Sequence, residues 1–270
     1  MSENEILEPE FENEDVVNDN QNTIHSESKK KPYHTESFLY TFMVAFGVIF
    51  LFCQLMFQII LTPIKVVGIS MQPTINISVL SDFDENHCDI VYYRQNKTYQ
   101  NGDVVIISNK SQDYIKDNEV GFLIKRIIAL PGQSITFFLT NVAEKDGETA
   151  YFYDFVVKDK DGNVVDVDDS FLQEEMYFTE YEYTSFLDYD TYKSIFFNLR
   201  NFANDEDKAK SIIFVEDGSY FVMGDNRNHS TDSRVFGTIN HSHIDGEVKL
   251  QVPYGNSILK AIWIKIKSII

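Results

Sequence analysis

Three short segments carry residue types that could do chemistry. In Gly68-Ile69-Ser70-Met71-Gln72-Pro73-Thr74, a serine follows an apolar run and precedes a proline turn, where its hydroxyl could stand exposed as a nucleophile. The same arrangement is the ordinary setting of a turn or cap hydrogen bond. In Phe122-Leu123-Ile124-Lys125-Arg126-Ile127-Ile128-Ala129-Leu130-Pro131-Gly132, a lysine sits inside an apolar strand. Alternation puts Lys125 on the face of Leu123 and Ile127, which would point to a core, and turns Arg126 the other way. Such a lysine can snorkel at an edge, or it can be held neutral. A free amine titrates near ~10.4, and desolvation can lower that by ~3–5 pH units. Only the neutral amine accepts a proton from a serine hydroxyl, so burial is what would make Lys125 a base near neutrality. The third segment, Gly224-Asp225-Asn226-Arg227-Asn228-His229-Ser230-Thr231-Asp232-Ser233-Arg234-Val235-Phe236-Gly237, is crowded with turn formers and paired charges. Asp232 and Arg234 could form a bracing ion pair, and Ser230 could donate or accept at a nearby base. Residue types alone do not assign these roles.

The elements that must position these groups read mainly as β-strands. Val66–Ile69, Asp89–Tyr93, Val104–Ile107, Phe122–Ile128, Ser134–Leu139 and Tyr220–Met223 are short runs rich in Val, Ile, Phe and Tyr. Turn signals separate them, among them Asn101-Gly102-Asp103, Pro131-Gly132 and Asp217-Gly218. The expected fold is a mainly β, antiparallel catalytic core over residues 63–139 and 211–255. Between them, residues 140–210 alternate acidic and aromatic residues and read as an inserted cap, with a helix from Asp190 to Asn201.

Residues 1–36 form an acidic tail with little to bury, which predicts disorder. Residues 37–62 are an uncharged apolar stretch long enough for a ~30 Å hydrocarbon core, which takes about 20 residues. A cleaved leader fits poorly, because its apolar region should be ~7–15 residues long and end at small residues. Lys29, Lys30 and Lys31 precede the span and Lys65 stands alone after it. The positive-inside rule then puts the tail in the cytoplasm and the bulk of the chain outside, a single-pass protein of the cell membrane. Residues 256–270 form an amphipathic segment. On a helix, Ile258, Leu259, Ile262, Trp263, Ile266, Ile269 and Ile270 share a face, with Lys260, Lys267 and Ser268 mostly opposite, the segment either lying in the membrane interface or packed on the domain.

The 270 residues carry a net charge of −19, which argues against nucleic acid as a partner. Neither a disulfide framework nor a zinc site is expected from Cys53 and Cys88. The dispersed His87, His229, His241 and His243 show no metal-ligand spacing, and no cofactor is expected.

Taken in order, the span, Ser70-Met71-Gln72-Pro73-Thr74, Gly102-Asp103-Val104-Val105, Lys125 through Gly132, Gly224-Asp225-Asn226-Arg227, Ser230, Asp232-Ser233-Arg234 and Phe236-Gly237 resemble the type I signal peptidases, in their Gram-positive single-span form. The resemblance runs from Val66 to Gly237 except the cap. It implies that Ser70 attacks the scissile carbonyl, giving an acyl-enzyme, with Lys125 as general base. It also implies that Ser230 orients the Lys125 amine and that Asp232 and Arg234 hold the Ser230 loop. Val67, Gly68, Ile69, Met71, Leu123 and Ile124 would line the substrate, bound as an extended strand. The implied partners are signal-peptide-bearing preproteins and membrane lipid, with the secretion translocon as a further partner. Two positions depart from the pattern. Gly68 stands where some members carry a serine that helps bind the oxyanion, and losing such a donor can cost about 10²–10³ in rate. Gln133 stands where Asp often follows Pro-Gly, a change expected to affect a turn. The competing readings are a catalytically silent, membrane-anchored binding or assembly factor, and a self-cleaving Ser–Lys regulator of the LexA type. The presence of both Ser70 and Lys125 counts against the first, and the span and acidity against the second.

Overall fold

The computed structural model describes residues 35–79, 86–108 and 121–267; the acidic tail and its three lysines lie outside them. The chain separates into two units, residues 1–52 and 53–270. Helix α1 (Thr35–Ile60) supplies the described part of the first. Within α1, Ser37–Met56 is long and apolar enough to cross a membrane. At ~1.5 Å rise per residue, these 20 residues match a ~30 Å hydrocarbon core. Phe38, Phe46, Met43, Tyr40, Val44, Val48 and Phe52, which together point all round the helix, are exposed, so it is apolar around its whole circumference, unlike a helix that hides one stripe in a core.

The second unit is built on two antiparallel sheets. The chain first lays down β1 (Thr62–Lys65), β2 (Ile90–Arg94), β3 (Val104–Ser108) and β4 (Phe122–Ala129). It continues through β5 (Ser134–Lys145), β6 (Glu148–Lys158), β7 (Val164–Val165), β8 (Met176–Thr179), helices α2 (Glu180–Ser185) and α3 (Asp190–Asn201), and β9 (Lys210–Phe214). It closes with β10 (Ser219–Met223), α4 (Ser233–Phe236), β11 (Ile239–Asn240), β12 (Ile244–Val252) and α5 (Ile258–Lys267). One sheet has the order β1-β2-β12-β3-β4-β10-β11; the other has β7-β6-β5-β9, with β8 against β6. The mainly β fold expected from the strand-like runs is the one observed, and α3 spans the residues expected for it.

Strand β4 is the spine of the first sheet. Ile127 packs with Val105, Ile107, Val222 and Ile239, while Ile124 packs with Val66, Met71, Ile75 and Val91. Ile128 joins Ile135, Phe137 and Tyr153 of the second sheet and Ile195, Phe196 and Leu199 of α3. Covered on both faces, the strand reads in sequence as an almost unbroken apolar run.

Two expectations differ from what is observed. Val66–Ile69 is not a strand: the β1 ladder stops at Lys65, paired with Ile90. Beyond it the carbonyls of Val66 and Gly68 accept from Asn76 Nδ2 at 2.7 and 2.9 Å, and Gly68 turns at φ 99°, so no ladder can continue. The change in composition at Thr140 falls inside β5, a 12-residue strand whose first half pairs with β9 and β6. Ser134–Leu139 and Ser211–Phe214 therefore belong to the second sheet and not to the first. The strand continues because buried Ile135 and Phe137 anchor its start, whatever the polarity of its exposed end.

Candidate active site

Lys125, 3% exposed, points its amine at the hydroxyl of Ser70: Nζ donates to Oγ at 2.8 Å. The two groups come from parts of the chain 55 residues apart. β4 fixes one and an irregular loop after β1 fixes the other.

That loop is held from both ends. Asn76, buried at φ 63°, donates its amide to the Val66 and Gly68 carbonyls, and its backbone N–H donates to Asp89 Oδ2 at 2.9 Å. Asp89 N–H returns a bond to Asn76 Oδ1 at 2.7 Å, and the buried Asp89 carboxylate also accepts from Gln251 Nε2 (2.7 Å) and the Tyr254 N–H (2.9 Å). The loop is thereby tied to β2 and β12. From the other side, the Asn226 N–H donates to the Ser70 carbonyl at 3.0 Å and its Nδ2 donates to the Ile69 carbonyl at 3.3 Å. Gly224 completes the contact. A Cβ there would lie 2.5 Å from the Ser70 carbonyl oxygen and 2.3 Å from Ser230 Oγ, so only glycine admits this approach.

The Gly224–Gly237 segment is braced by buried charge. Arg234 donates from Nε to Asp232 Oδ1 at 2.9 Å and from an Nη to Oδ2 at 2.8 Å. Its remaining donors go to the Tyr153 hydroxyl (2.7 Å) and the Arg227 carbonyl (2.6 Å), and Asp232 Oδ2 also accepts from the Gly224 N–H at 3.0 Å. Burial alone would raise the Asp232 pKa, but the Arg234 guanidinium and the Gly224 N–H outweigh it and hold the carboxyl below its ordinary range. Burial likewise works against the Arg234 charge, and Asp232 overrides it, leaving the guanidinium pKa raised. Arg126 faces away from the dyad, as alternation requires, and makes a bidentate pair with Asp225 at 2.7 and 2.6 Å. Ser230 Oγ is buried with no hydrogen-bond partner among the described residues. The bond to the Lys125 amine implied by the resemblance is not among the hydrogen bonds of the described residues, and the Ser230 side chain lies against Gly224.

The expected substrate-lining residues divide by exposure. Val67 is exposed, Gly68, Ile69 and Leu123 are half-buried, and Met71 and Ile124 are core residues that can contribute only a floor. β10 pairs with β4 only from Arg126 to Ala129, so among the described residues Phe122–Lys125 carries β3 on one side and no strand on the other. A hollow of about 290 Å³ lies beside Ile69 and Ser230, walled by Tyr177, Phe178 and Tyr192. Gln133 Oε1 accepts from the Leu130 N–H at 2.8 Å and from Asn101 Nδ2 at 2.8 Å, stapling two turns at the far end of β4.

The family described as signal peptidase, peptidase S26, matches residues 38–253. The chain belongs to that family. Signal peptidase IB of Staphylococcus aureus is 25% identical over 213 residues, 79% of this chain and 88% of that protein. Signal peptidase I of Buchnera aphidicola is 23% identical over 264 residues, 84% and 79% of the two chains. A crystal structure of a signal peptidase I from Enterococcus faecalis is similar over 57% of this chain and 98% of that one, at 18% identity and a TM-score of 0.28. As a type I signal peptidase this chain is a peptidase, and the residues that pin its Ser70 loop, Asn76, Asp89, Gly224 and Asn226, were given no role by sequence. The available signals were an Asn tolerant of positive φ after Pro-Thr-Ile and a glycine opening the Gly-Asp-Asn-Arg turn.

Proposed function

We propose that this signal peptidase removes N-terminal signal peptides from exported preproteins at the outer face of the cell membrane, with Ser70 as nucleophile and Lys125 as general base. The observation that carries the reading is the 2.8 Å contact between a buried Lys125 amine and Ser70 Oγ. Burial disfavours the ammonium form, and a neutral amine at that distance is in reach of the hydroxyl proton. Lys125 takes that proton as Oγ bonds to the scissile carbonyl carbon. The ammonium then gives the proton to the departing amine as the C–N bond breaks, leaving an ester on Ser70. Water, deprotonated by Lys125, releases the acyl group and restores the serine. The preprotein would add as a strand along the open edge of Phe122–Lys125, opposite Val67–Ile69, and so deliver its carbonyl to Ser70. Asp232 and Arg234 hold the loop bearing Ser230, whose hydroxyl has no competing partner and is available to the amine once Ser70 is acylated. The lysines before the span support a topology with the catalytic unit outside, where preproteins would emerge and the translocon would be a neighbour.

Purified full-length protein should cut a preprotein at its signal junction, and Ser70→Ala and Lys125→Ala should each abolish the cut while leaving the chain folded. Full activity in either variant refutes the dyad. Protease accessibility that puts residues beyond Lys65 in the cytoplasm refutes the topology.

A further inference from the structure

The C-terminal helix offers an apolar face that the fold leaves open. Of α5, Ala261 is buried, and Ile258 and Ile262 pack with it on Leu250 and Val252 of β12 and on Tyr92 of β2. Beside that packed face, α5 presents Leu259 at 73%, Trp263 at 58% and Ile266 at 45% exposure, spaced i, i+4, i+7 along one stripe, with Ile264 exposed further round the helix. Lys260 and Lys267 flank that stripe, and Lys267 Nζ stands 5.4 Å from the Trp263 ring centroid. Lys249 pairs with Glu247, the last acidic residue of the sequence; beyond that pair come Lys260, Lys265 and Lys267 with no Asp or Glu, in a chain whose net charge is −19. The basic charge is therefore gathered where apolar surface is uncovered.

The position of the stripe in the sheet says what covers it. α1 ends at Ile60 and β1 begins at Thr62, so β1 is the strand that leaves the apolar span. β1 pairs with β2 and β2 with β12, and these last two strands carry α5. Ile90, which pairs with Lys65 on one side and Val252 on the other, is itself 41% exposed, and Tyr254 beyond β12 is 48% exposed. Exposed apolar residues thus occur on β2, the strand next to the one that leaves the span, beyond the end of β12, and on the outer face of the helix.

We infer that α5 docks in the interface of an anionic bilayer, with Leu259, Trp263 and Ile266 among the acyl chains and Lys260 and Lys267 at the headgroups. A Trp at the boundary with lysines beside it matches the composition of interfacial helices, and the local excess of lysine matches an anionic surface. The helix then acts as a second attachment beside α1 and restricts how the catalytic unit can turn over the membrane. The inference uses the membrane-crossing reading of α1 and is independent of the dyad.

Trp263 is the only tryptophan in the chain, so intrinsic tryptophan emission reports α5 alone. The full chain is reconstituted in phosphatidylcholine vesicles with and without phosphatidylglycerol, containing lipids brominated near the headgroup end of the acyl chain. Wild-type emission should be quenched by the brominated lipid, more strongly with phosphatidylglycerol. The Leu259→Asp, Ile266→Asp double variant should still float with the vesicles through α1 but lose that quenching. The variant should also cut a vesicle-inserted preprotein about tenfold more slowly, as loss of a second attachment predicts, while its rate on a short soluble peptide is unchanged. That cleavage arm rests on the proposed activity; the fluorescence arm does not. Wild-type protein that floats without quenching overturns the inference alone, and wild-type protein that does not float overturns it together with the span. Unquenched emission accompanied by cross-linking through α5 identifies a second copy as the occupant and also overturns it. Equal rate losses on both substrates mean that α5 acts on the fold and not on docking, which is again a refutation.

Discussion

Gly224→Ala is the substitution that most directly tests how Ser70, the proposed nucleophile, is placed. The added Cβ would stand 2.5 Å from the Ser70 carbonyl oxygen and 2.6 Å from Ser230 Cβ, against an ordinary contact of at least 3.4 Å. The Ser70 backbone or β10 must therefore yield by 3.4 − 2.5 = 0.9 Å. Ser70 cannot yield freely, since Asn226 holds its carbonyl at 3.0 Å and Asn76 holds the loop before it. A displacement of about 1 Å at a reacting group can cost ~10²-fold in rate, and overpacking of this kind lowers stability by about 1–3 kcal/mol. The expected result is a kcat lower by roughly 10² with KM little changed, because the substrate edge at Phe122–Lys125 is untouched. Gly246→Ala is the comparator. There a Cβ meets the Arg94 backbone at 2.6 Å, and neither glycine has a positive φ, so the steric insult is similar but falls between β12 and β2. Steady-state cleavage of a short peptide, with urea unfolding alongside, separates the two effects. Gly224→Ala with wild-type kcat, or Gly246→Ala with the same loss of kcat, refutes the claim that this contact positions Ser70.

Other expectations follow from the bonds around the dyad. Asp232→Ala leaves the Arg234 guanidinium buried and unpaired, which should destabilise the fold by about 3–5 kcal/mol in urea titration at neutral pH. Because the folded Asp232 pKa is depressed, its stabilisation is complete above the unfolded value near ~3.9 and is lost as pH falls through the folded value. The gap between wild type and Asp232→Asn should therefore be full at neutral pH and close only below about pH 4; a gap that is unchanged in acid contradicts the pairing. Asn226→Ala removes one N–H bond to the Ile69 carbonyl, worth ~1 kcal/mol or about fivefold in kcat. Asn226→Asp sets a carboxylate against that carbonyl and should be worse than Ala, and the reverse order would show that the amide does not act on the loop.

What sequence could and could not reveal follows the range of each interaction. The setting of Lys125 was legible because alternation within one strand is a local rule, and the same rule turned Arg126 away toward Asp225. The helix expected at Asp190–Asn201 is the one observed. Val66–Ile69 was misread because its apolar residues suit a strand, while the group that prevents one, the Asn76 amide, returns from 8 to 10 residues further on. Asp89, Gln251 and Tyr254 complete that clamp from β2 and β12, and no local pattern announces such a contact. In α5 the period shows an amphipathic helix, but Ile258 and Ile262 are as apolar as Leu259 and Trp263. Only packing decides which pair lies on β12.

The same clamp accounts for Gly68. By family resemblance, this position could carry a serine whose hydroxyl serves the oxyanion. Here φ is 99°, a conformation that a side chain tolerates only with strain of about 1–3 kcal/mol. That angle is not an isolated defect: it lets the Gly68 carbonyl reach Asn76 Nδ2 at 2.9 Å, while the Val66 carbonyl shares the same amide. Asn76 in turn stands at φ 63° so that its N–H meets Asp89. Glycine at 68 and asparagine at 76 are therefore parts of one loop conformation, and a hydroxyl at 68 could be added only by rebuilding the clamp. Under the proposed mechanism, stabilisation of the oxyanion must then come from rigidly held groups near Ser70, with the backbone N–H of Ser70 first among them. The doubled hold on its loop, by Asn76 before it and Asn226 after it, is the kind of preorganisation that fixed donors require.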